Sequence, residues 1–244
     1  MYLDWRDTLQ LSINGIYEPL VTNFFLKEVK PGNIIIDVGA HIGYYTLIFA
    51  KLAGQSGEVY AFEPDPTNFA ILKKNVLING YKNVILSNKA VSNISGRIKL
   101  YVYHDHPAWH KIYDANDSNG YIEIDSVRLD DFFKNYNKKV DFIKMDIEGA
   151  EWLAVSGMLE FLKNQDKVKI ITEYNPSKLK FFGIKATDYL ELLINLNFKL
   201  FEFNEKLNKI VETSIEELNA KYPETIDNST NLLCTRLRQN HHYE

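Results

Sequence analysis

Apolar residues along this chain follow two rhythms, short continuous runs and stripes at helical spacing. Ile34-Ile35-Ile36 is continuously apolar and β-branched, as expected of a strand covered on both faces. Gly39 and Gly43 separate it from the apolar segment Thr46-Leu47-Ile48-Phe49-Ala50, which predicts strand, glycine turn and helix. Glu58-Val59-Tyr60-Ala61-Phe62-Glu63 predicts a second strand. Asp65-Pro66 then supplies an N-cap and a first helical residue to a helix carrying Phe69, Leu72 and Val76 on one face and closing at Asn79-Gly80. Residues 84 to 91, 141 to 146 and 168 to 173 read as third, fourth and fifth strands. Trp152, Val155, Leu159 and Leu162 form one helical stripe, and Tyr189, Leu192, Leu193 and Leu196 another. Strands alternating with helices imply an α/β fold, a mostly parallel sheet with helices on both faces.

Two stretches break the alternation. Residues 94 to 128 hold strand-like segments at 97 to 103 and 121 to 127 joined by a polar loop, which predicts an inserted hairpin that acts as a lid. Residues 198 to 203 and 232 to 237 read as two strands with no clear helix between them, an antiparallel edge. Residues 1 to 30 read as a partly helical N-terminal cap. With no repeat and no low-complexity linker, the 244 residues are expected to form one domain with its core over 31 to 237.

Composition narrows the class. The hydrophobic fraction of 45%, with 14 Phe and 15 Tyr, is enough for a packed core rather than a disordered chain. A net charge of −4 and a pI near 5.9 give no broad basic surface, so nucleic acid is not an expected partner. The single cysteine, Cys234, sits in an apolar run and reads as a packed thiol in a reducing compartment. Charges near the start, at Asp4, Arg6 and Asp7, speak against a signal peptide, and no run approaches the ~20 apolar residues of a membrane span. The expectation is a cytoplasmic protein.

The glycine turn carries the chemistry. In an open parallel sheet ligands bind beyond the carboxyl ends of the strands, where the strand order reverses, and the first strand sits there. In Asp37-Val38-Gly39-Ala40-His41-Ile42-Gly43 the glycines permit a sharp turn, and amides at the following helix start can meet a carboxylate. Glu63, 24 positions after Gly39, is placed to accept hydrogen bonds from both hydroxyls of a ribose. A dinucleotide fingerprint beginning at Gly39 would need glycine where His41 and Tyr44 stand, so an NAD-dependent oxidoreductase is disfavoured. S-adenosylmethionine has a ribose and an amino-acid carboxylate but no pyrophosphate, and it fits better; its product is S-adenosylhomocysteine. Asp37, Gly39, Ala40, His41, Gly43, Glu63 and Asp146 are the expected donor contacts. The competing class is a silent Rossmann-like binding module in which the glycines serve packing alone.

The stretch from Ile36 to Tyr45, Ala61-Phe62-Glu63-Pro64, Asn75 to Gly80, Ala90-Val91-Ser92, Arg128-Leu129-Asp130-Asp131 and Ile143-Lys144-Met145-Asp146-Ile147-Glu148-Gly149-Ala150-Glu151 resembles the FkbM family of methyltransferases. The resemblance covers about residues 15 to 175. It implies a Rossmann-like class I methyltransferase fold, with seven strands of which the last runs antiparallel, and O-methylation of hydroxyls on sugars or natural products. His41 stands where the family often has Asn, a position that offers backbone groups to the ligand.

On the acceptor side the protein must place a hydroxyl in line with the methyl group and take its proton. Asp146 and Glu148, at the end of the fourth strand, and Lys144 are the candidate catalytic residues. Glu151, one helical turn on, and Glu173, on the neighbouring strand, complete an oxygen-rich cluster. The bland alternative is that Glu148 and Glu151 complement a helix start and that Lys144 pairs with one of them. Magnesium or calcium at this cluster is weighed but not expected. His106, Trp109, His110 and Glu173 are the candidate contacts to a small-molecule or glycan acceptor. The histidines at 104, 106 and 110 match no zinc spacing.

Overall fold

In a computed structural model, residues 1–4, 6–101 and 120–236 are described. The N-terminal segment holds α1 (Leu11–Asn14) and α2 (Pro19–Glu28). Then come β1 (Ile34–Val38), buried along its whole length, and α3 (Tyr44–Ala53). β2 (Glu58–Phe62) leads to α4 (Pro66–Ile78), where Asp65 Oδ1 accepts from the Thr67 and Asn68 amides at 2.8 Å each. These elements follow the sequence pattern closely.

The third apolar run divides. β3 (Val84–Ser87) stays in the main sheet, whereas β4 (Ala90–Val91) turns into a second, three-stranded sheet with β5 (Gly96–Tyr101) and β6 (Tyr121–Val127), the predicted hairpin. α5 (Leu129–Phe132) precedes β7 (Phe142–Met145). The stripe beginning at Trp152 is two helices, α6 (Glu151–Ser156) and α7 (Leu159–Lys163). Between them Gly157 lies so close to the Ser92 carbonyl that a Cβ would stand 2.0 Å from its oxygen, and Asp130 Oδ1 accepts from the Phe161 amide at 2.8 Å to start α7. The motif residues Ser92 and Asp130 thus serve as scaffold.

β8 (Lys169–Tyr174), α8 (Pro176–Phe181), α9 (Ala186–Asn195), β9 (Phe198–Asn204), β10 (Lys209–Glu212), α10 (Ile215–Lys221) and β11 (Thr230–Arg236) complete the chain. The main sheet has eight strands in the order β10-β9-β11-β8-β7-β1-β2-β3. β1, β2, β3, β7 and β8 pair in parallel, and β11 runs antiparallel to both β8 and β9. Seven strands with an antiparallel last one match the expectation; the eighth, β10, is a hairpin partner of β9. The expected antiparallel edge is corrected: β11 slots inside, between β8 and β9. A helix does separate them, α10, with a capping box between Ser214 and Glu217. It buries only Leu218, so its apolar period is too brief to read.

One face of the sheet is covered in part by α2, whose Val21, Phe24 and Phe25 pack with Ile35, Phe49, Phe142 and Phe203. The N-terminal segment is therefore part of the core. Cys234 is fully buried, and burial pushes its thiol up, in keeping with a packed residue. Among the described residues no helix is long and apolar enough to cross a membrane.

Candidate active site

A cleft of about 180 Å³ opens at the carboxyl ends of β1, β2 and β7, where the chain leaves β1 toward β2 on one side and later returns as β7 on the other. Asp37, Gly39, Ala40, His41, Glu63, Lys144, Asp146 and Glu148 line it. So do Thr8, Leu9 and Tyr17 from the N-terminal segment and Leu100 from the inserted hairpin.

The turn after β1 is built by close backbone approach. Gly39 has φ 81°, and a Cβ there would lie 2.1 Å from the Asp146 carbonyl oxygen, so glycine lets β1 and β7 close together. Gly43, expected among the donor contacts, has its missing Cβ against Leu72 of α4 and is not among the residues lining the cleft. The packing explanation therefore suffices for Gly43. His41 has φ 48°, a left-handed conformation in which Asn, Asp and His are enriched over other side chains, and its amide donates to Glu63 Oε2 at 2.8 Å. That requirement accounts for His where the family often has Asn.

Two buried carboxylates line the cleft. Asp37 Oδ2 accepts from the Thr46 hydroxyl at 2.6 Å, while its Oδ1, also buried, has no hydrogen-bond partner. Burial raises the Asp37 pKa against the pull of Lys144. Glu63 accepts from the Asp65 amide at 2.9 Å through Oε1 and from His41 through Oε2, and no lysine or arginine pairs with it among the described residues. Burial, with Asp65 adding to it, pushes the Glu63 carboxyl up to about 8 although the two amides oppose the rise. The Asn68 side chain also hydrogen-bonds to Glu63.

Lys144 is buried, with Nζ 3.2 Å from Asp146 Oδ2 and 4.6 Å from the centroid of the Tyr45 ring. Burial disfavours its charge, but Asp146, Glu18 and Asp37 outweigh this and hold it above the usual lysine range. Asp146 is disfavoured as an anion by burial, yet Lys144 and Lys178 keep its pKa below the ordinary value. Glu148, at φ 59°, pairs with Lys178 Nζ at 2.5 Å, and Lys178 also reaches Glu173 at 3.4 Å. The alternative weighed for Lys144, pairing with Glu148 or Glu151, is not what the structure shows: Lys144 pairs with Asp146, and Lys178 with Glu148. Glu151 accepts from the Ile147 amide at 3.0 Å, the helix-start role weighed for it, and burial lifts it to about 7.

Asp146 and Glu148 meet in the cleft, whereas Glu173 stands behind Lys178 and does not line it. Its pKa is raised well above normal by burial despite Lys178. His106, Trp109 and His110 lie outside the described residues. Among the described residues no group of three or more His, Cys, Asp or Glu side chains is arranged to hold a metal ion. At the carboxylate cluster two lysines occupy the cationic role. Sequence reasoning missed Lys178, for which Lys at the start of α8 gave no periodic signal, and Tyr17 and Glu18, which precede the recognisable motifs.

The family model of the methyltransferase FkbM domain matches residues 37–203. This chain belongs to the FkbM methyltransferase family. The match leaves out the N-terminal segment and the last strand, which this FkbM-family member uses to wall its cleft and complete its sheet. "Methyltransferase 1" of Beauveria bassiana is 25% identical over 146 residues, 52% of this chain and 58% of that protein. The 31-O-demethyl-FK506 methyltransferase FkbM of Streptomyces tacrolimicus is 36% identical over 78 residues, 32% of this chain and 29% of its own length. The chain thus spans less than two thirds of either relative. Among solved structures, methyltransferase FkbM from Methylobacillus flagellatus superposes with TM-score 0.50 at 18% identity over 83% of this chain and 43% of that one. A putative methyltransferase of Streptococcus mutans in complex with S-adenosylhomocysteine gives TM-score 0.51 at 10% identity over 90% and 97% of the two chains. These likenesses establish the class I fold.

The cleft fits the donor that this fold implies. Asp37 Oδ1, buried and unpartnered, suits an ammonium donor, and Glu63, buried without a counter-charge, suits a pair of hydroxyls.

Proposed function

We propose that this chain transfers a methyl group from S-adenosylmethionine to a hydroxyl of a sugar or natural-product acceptor. The observation that carries the donor assignment is the pair of buried carboxylates on the cleft wall, Asp37, whose Oδ1 has no hydrogen-bond partner, and Glu63, which no lysine or arginine pairs among the described residues. A dinucleotide is disfavoured because His41 and Tyr44 occupy the places where a pyrophosphate loop needs glycine. The name of the Streptomyces relative, a 31-O-demethyl methyltransferase, supports an oxygen acceptor.

The bound donor supplies a methyl group already activated on a sulfonium. What remains for the protein is placement and proton removal. Glu63 would hold the ribose and Asp37 the amino group, and Asp146 would take the proton of the acceptor hydroxyl as its oxygen is methylated. A carboxylate held ionised by Lys144 is a weak base toward a neutral alcohol. It suffices here because the oxygen becomes strongly acidic as it takes the methyl group. Glu148, fixed by Lys178, is the second acidic group on that side.

Thermal-shift measurements with S-adenosylmethionine, S-adenosylhomocysteine and NAD test the donor, since a ligand of the native state raises apparent stability. Stabilisation by NAD alone would overturn the assignment. Transfer of labelled methyl groups to a library of hydroxylated acceptors tests the reaction.

A further inference from the structure

Tyr17 enters the cleft from the N-terminal segment, outside residues 37–203 that the family model covers. Its backbone and ring are engaged. The amide donates to the Tyr44 hydroxyl at 3.2 Å, and the carbonyl accepts from the Thr22 hydroxyl at 2.7 Å. The ring meets those of Tyr44 and Tyr45 edge to face, with centroids 6.0 and 6.3 Å away. The next residue pins the turn. Glu18, at φ 43°, accepts from the Tyr45 hydroxyl at 2.7 Å through Oε2 and from Asn231 Nδ2 at 2.6 Å through Oε1. The Tyr17 hydroxyl, by contrast, has no hydrogen-bond partner among the described residues. Phenylalanine would pack equally well here, so packing leaves the hydroxyl unexplained.

We infer that Tyr17 is a further acceptor contact, its hydroxyl holding, together with Asp146, the oxygen that is to be methylated. The inference rests on the methyltransferase reading above and adds a residue to it. Place argues for the acceptor side. Tyr17 shares the cleft with Asp146 and Glu148, and Asp146 is foremost among the carboxylates whose charge bears on the phenol, followed by Glu18, Glu173 and Glu148. Protonation argues for a hydrogen-bond donor. Burial first, and these anions after it, push the phenol above its ordinary range, so it keeps its proton wherever the protein is folded. The demands of the reaction argue for two contacts rather than one. An alcohol oxygen has one proton and two lone pairs. With its proton directed to Asp146 and one lone pair accepting from Tyr17, the remaining lone pair is fixed in direction to receive the methyl group. Asp146 alone would leave the oxygen free to turn about a single hydrogen bond.

The test is a set of calorimetric titrations of the full chain and its Tyr17→Phe variant, which keeps the ring and removes only the hydroxyl. The probes are S-adenosylhomocysteine and two of its analogues with an amine nitrogen in place of sulfur, one bearing a methyl arm and the other a 2-hydroxyethyl arm. The second arm carries a hydroxyl to the place of the incoming oxygen, so no acceptor need be known. Tyr17→Phe is expected to weaken the hydroxyethyl analogue by about tenfold while S-adenosylhomocysteine and the methyl analogue stay within about twofold. A purely structural role for Tyr17 would lower all three affinities together, and a role in holding the donor would lower that of S-adenosylhomocysteine. Either result, or a hydroxyethyl analogue bound equally by both proteins, would overturn the proposal. Wild-type protein that binds neither S-adenosylhomocysteine nor the methyl analogue would instead strike the donor reading, and the proposal with it.

Discussion

Glu63 is the residue on which the donor assignment turns, and its surroundings sharpen what its variants should show. Glu63→Ala removes the carboxylate expected to meet the ribose, so S-adenosylhomocysteine affinity should drop by at least about tenfold and up to about a thousandfold. The same change strands the His41 and Asp65 amides, so the Ala variant should also lose about 1–3 kcal/mol of stability. Sequence position alone marks Glu63 as a ligand contact; it does not reveal that the side chain also ties the glycine turn to the start of α4. Glu63→Gln keeps a carbonyl for one amide and should fall between. Titration calorimetry alongside melting temperatures separates the two effects, and equal affinity in all three proteins would end the donor assignment. At the acceptor side, Asp146→Asn should lower methyl transfer steeply while EDTA leaves the wild type unaffected. Normal turnover by the Asn variant would remove Asp146 from the mechanism. The motif residues in the cleft were legible because each chemical demand sits in a short contiguous stretch. Lys178 was not, because its partners Glu148 and Glu173 are brought to it only by the packing of three elements.

Elements show the same division between local and tertiary information. β1, β2 and α4 carry their periods and caps within a few residues, and the fold follows them. The break between α6 and α7 depends on Ser92 and Asp130, far away in sequence, and the division of β3 from β4 depends on pairing with β6. Gly149 illustrates how one position joins elements: it has φ 97°, and a Cβ would come within 2.8 Å of the Lys178 backbone. Gly149→Ala should therefore cost about 2–4 kcal/mol from backbone strain and displacement of α8, measured by chemical denaturation. A variant within about 0.5 kcal/mol of wild type would show that α8 is not seated through this contact. The inserted hairpin reaches the cleft through Leu100, and its tip lies outside the described residues. Deleting residues 105 to 118 should abolish transfer and leave S-adenosylhomocysteine affinity nearly intact; a fully active deletion would show that the tip is no lid.

Across the whole molecule, the buried carboxylates set a pH dependence of stability whose sign is unusual for acidic groups. Glu63 stands at about 8 and Glu151 at about 7 in the folded chain, against 4.5 for an ordinary glutamate, and Glu173, Asp37 and Glu18 are displaced in the same direction by burial. Between pH 4.5 and 8 the folded state therefore keeps protons that the unfolded chain has released. Stability contributed by these groups is complete below the unfolded pKa and is lost as pH rises through the folded one. Each such proton tilts the curve by roughly 1.4 kcal/mol per pH unit within its window. Asp146 and Glu202 are displaced downward and work the other way, weakening the fold only as pH falls below the ordinary carboxylate range. The ligand-free protein should accordingly be most stable near pH 5 and lose stability steadily toward pH 8. Glu63→Gln should flatten this fall by about one proton across its whole span, and Glu151→Gln by about one proton up to pH 7 only. Donor binding should run opposite to the fold. Ribose hydroxyls that donate to Glu63 favour its ionised form, so binding expels the proton and S-adenosylhomocysteine affinity should rise from pH 6 to 8, a rise absent in Glu63→Gln. Unfolding by urea at a series of pH values, paired with calorimetric titrations in buffers of different ionisation enthalpy, reads both slopes. A wild type whose stability climbs from pH 5 to 8, or whose donor affinity is flat there, would contradict a protonated Glu63 at the heart of the cleft.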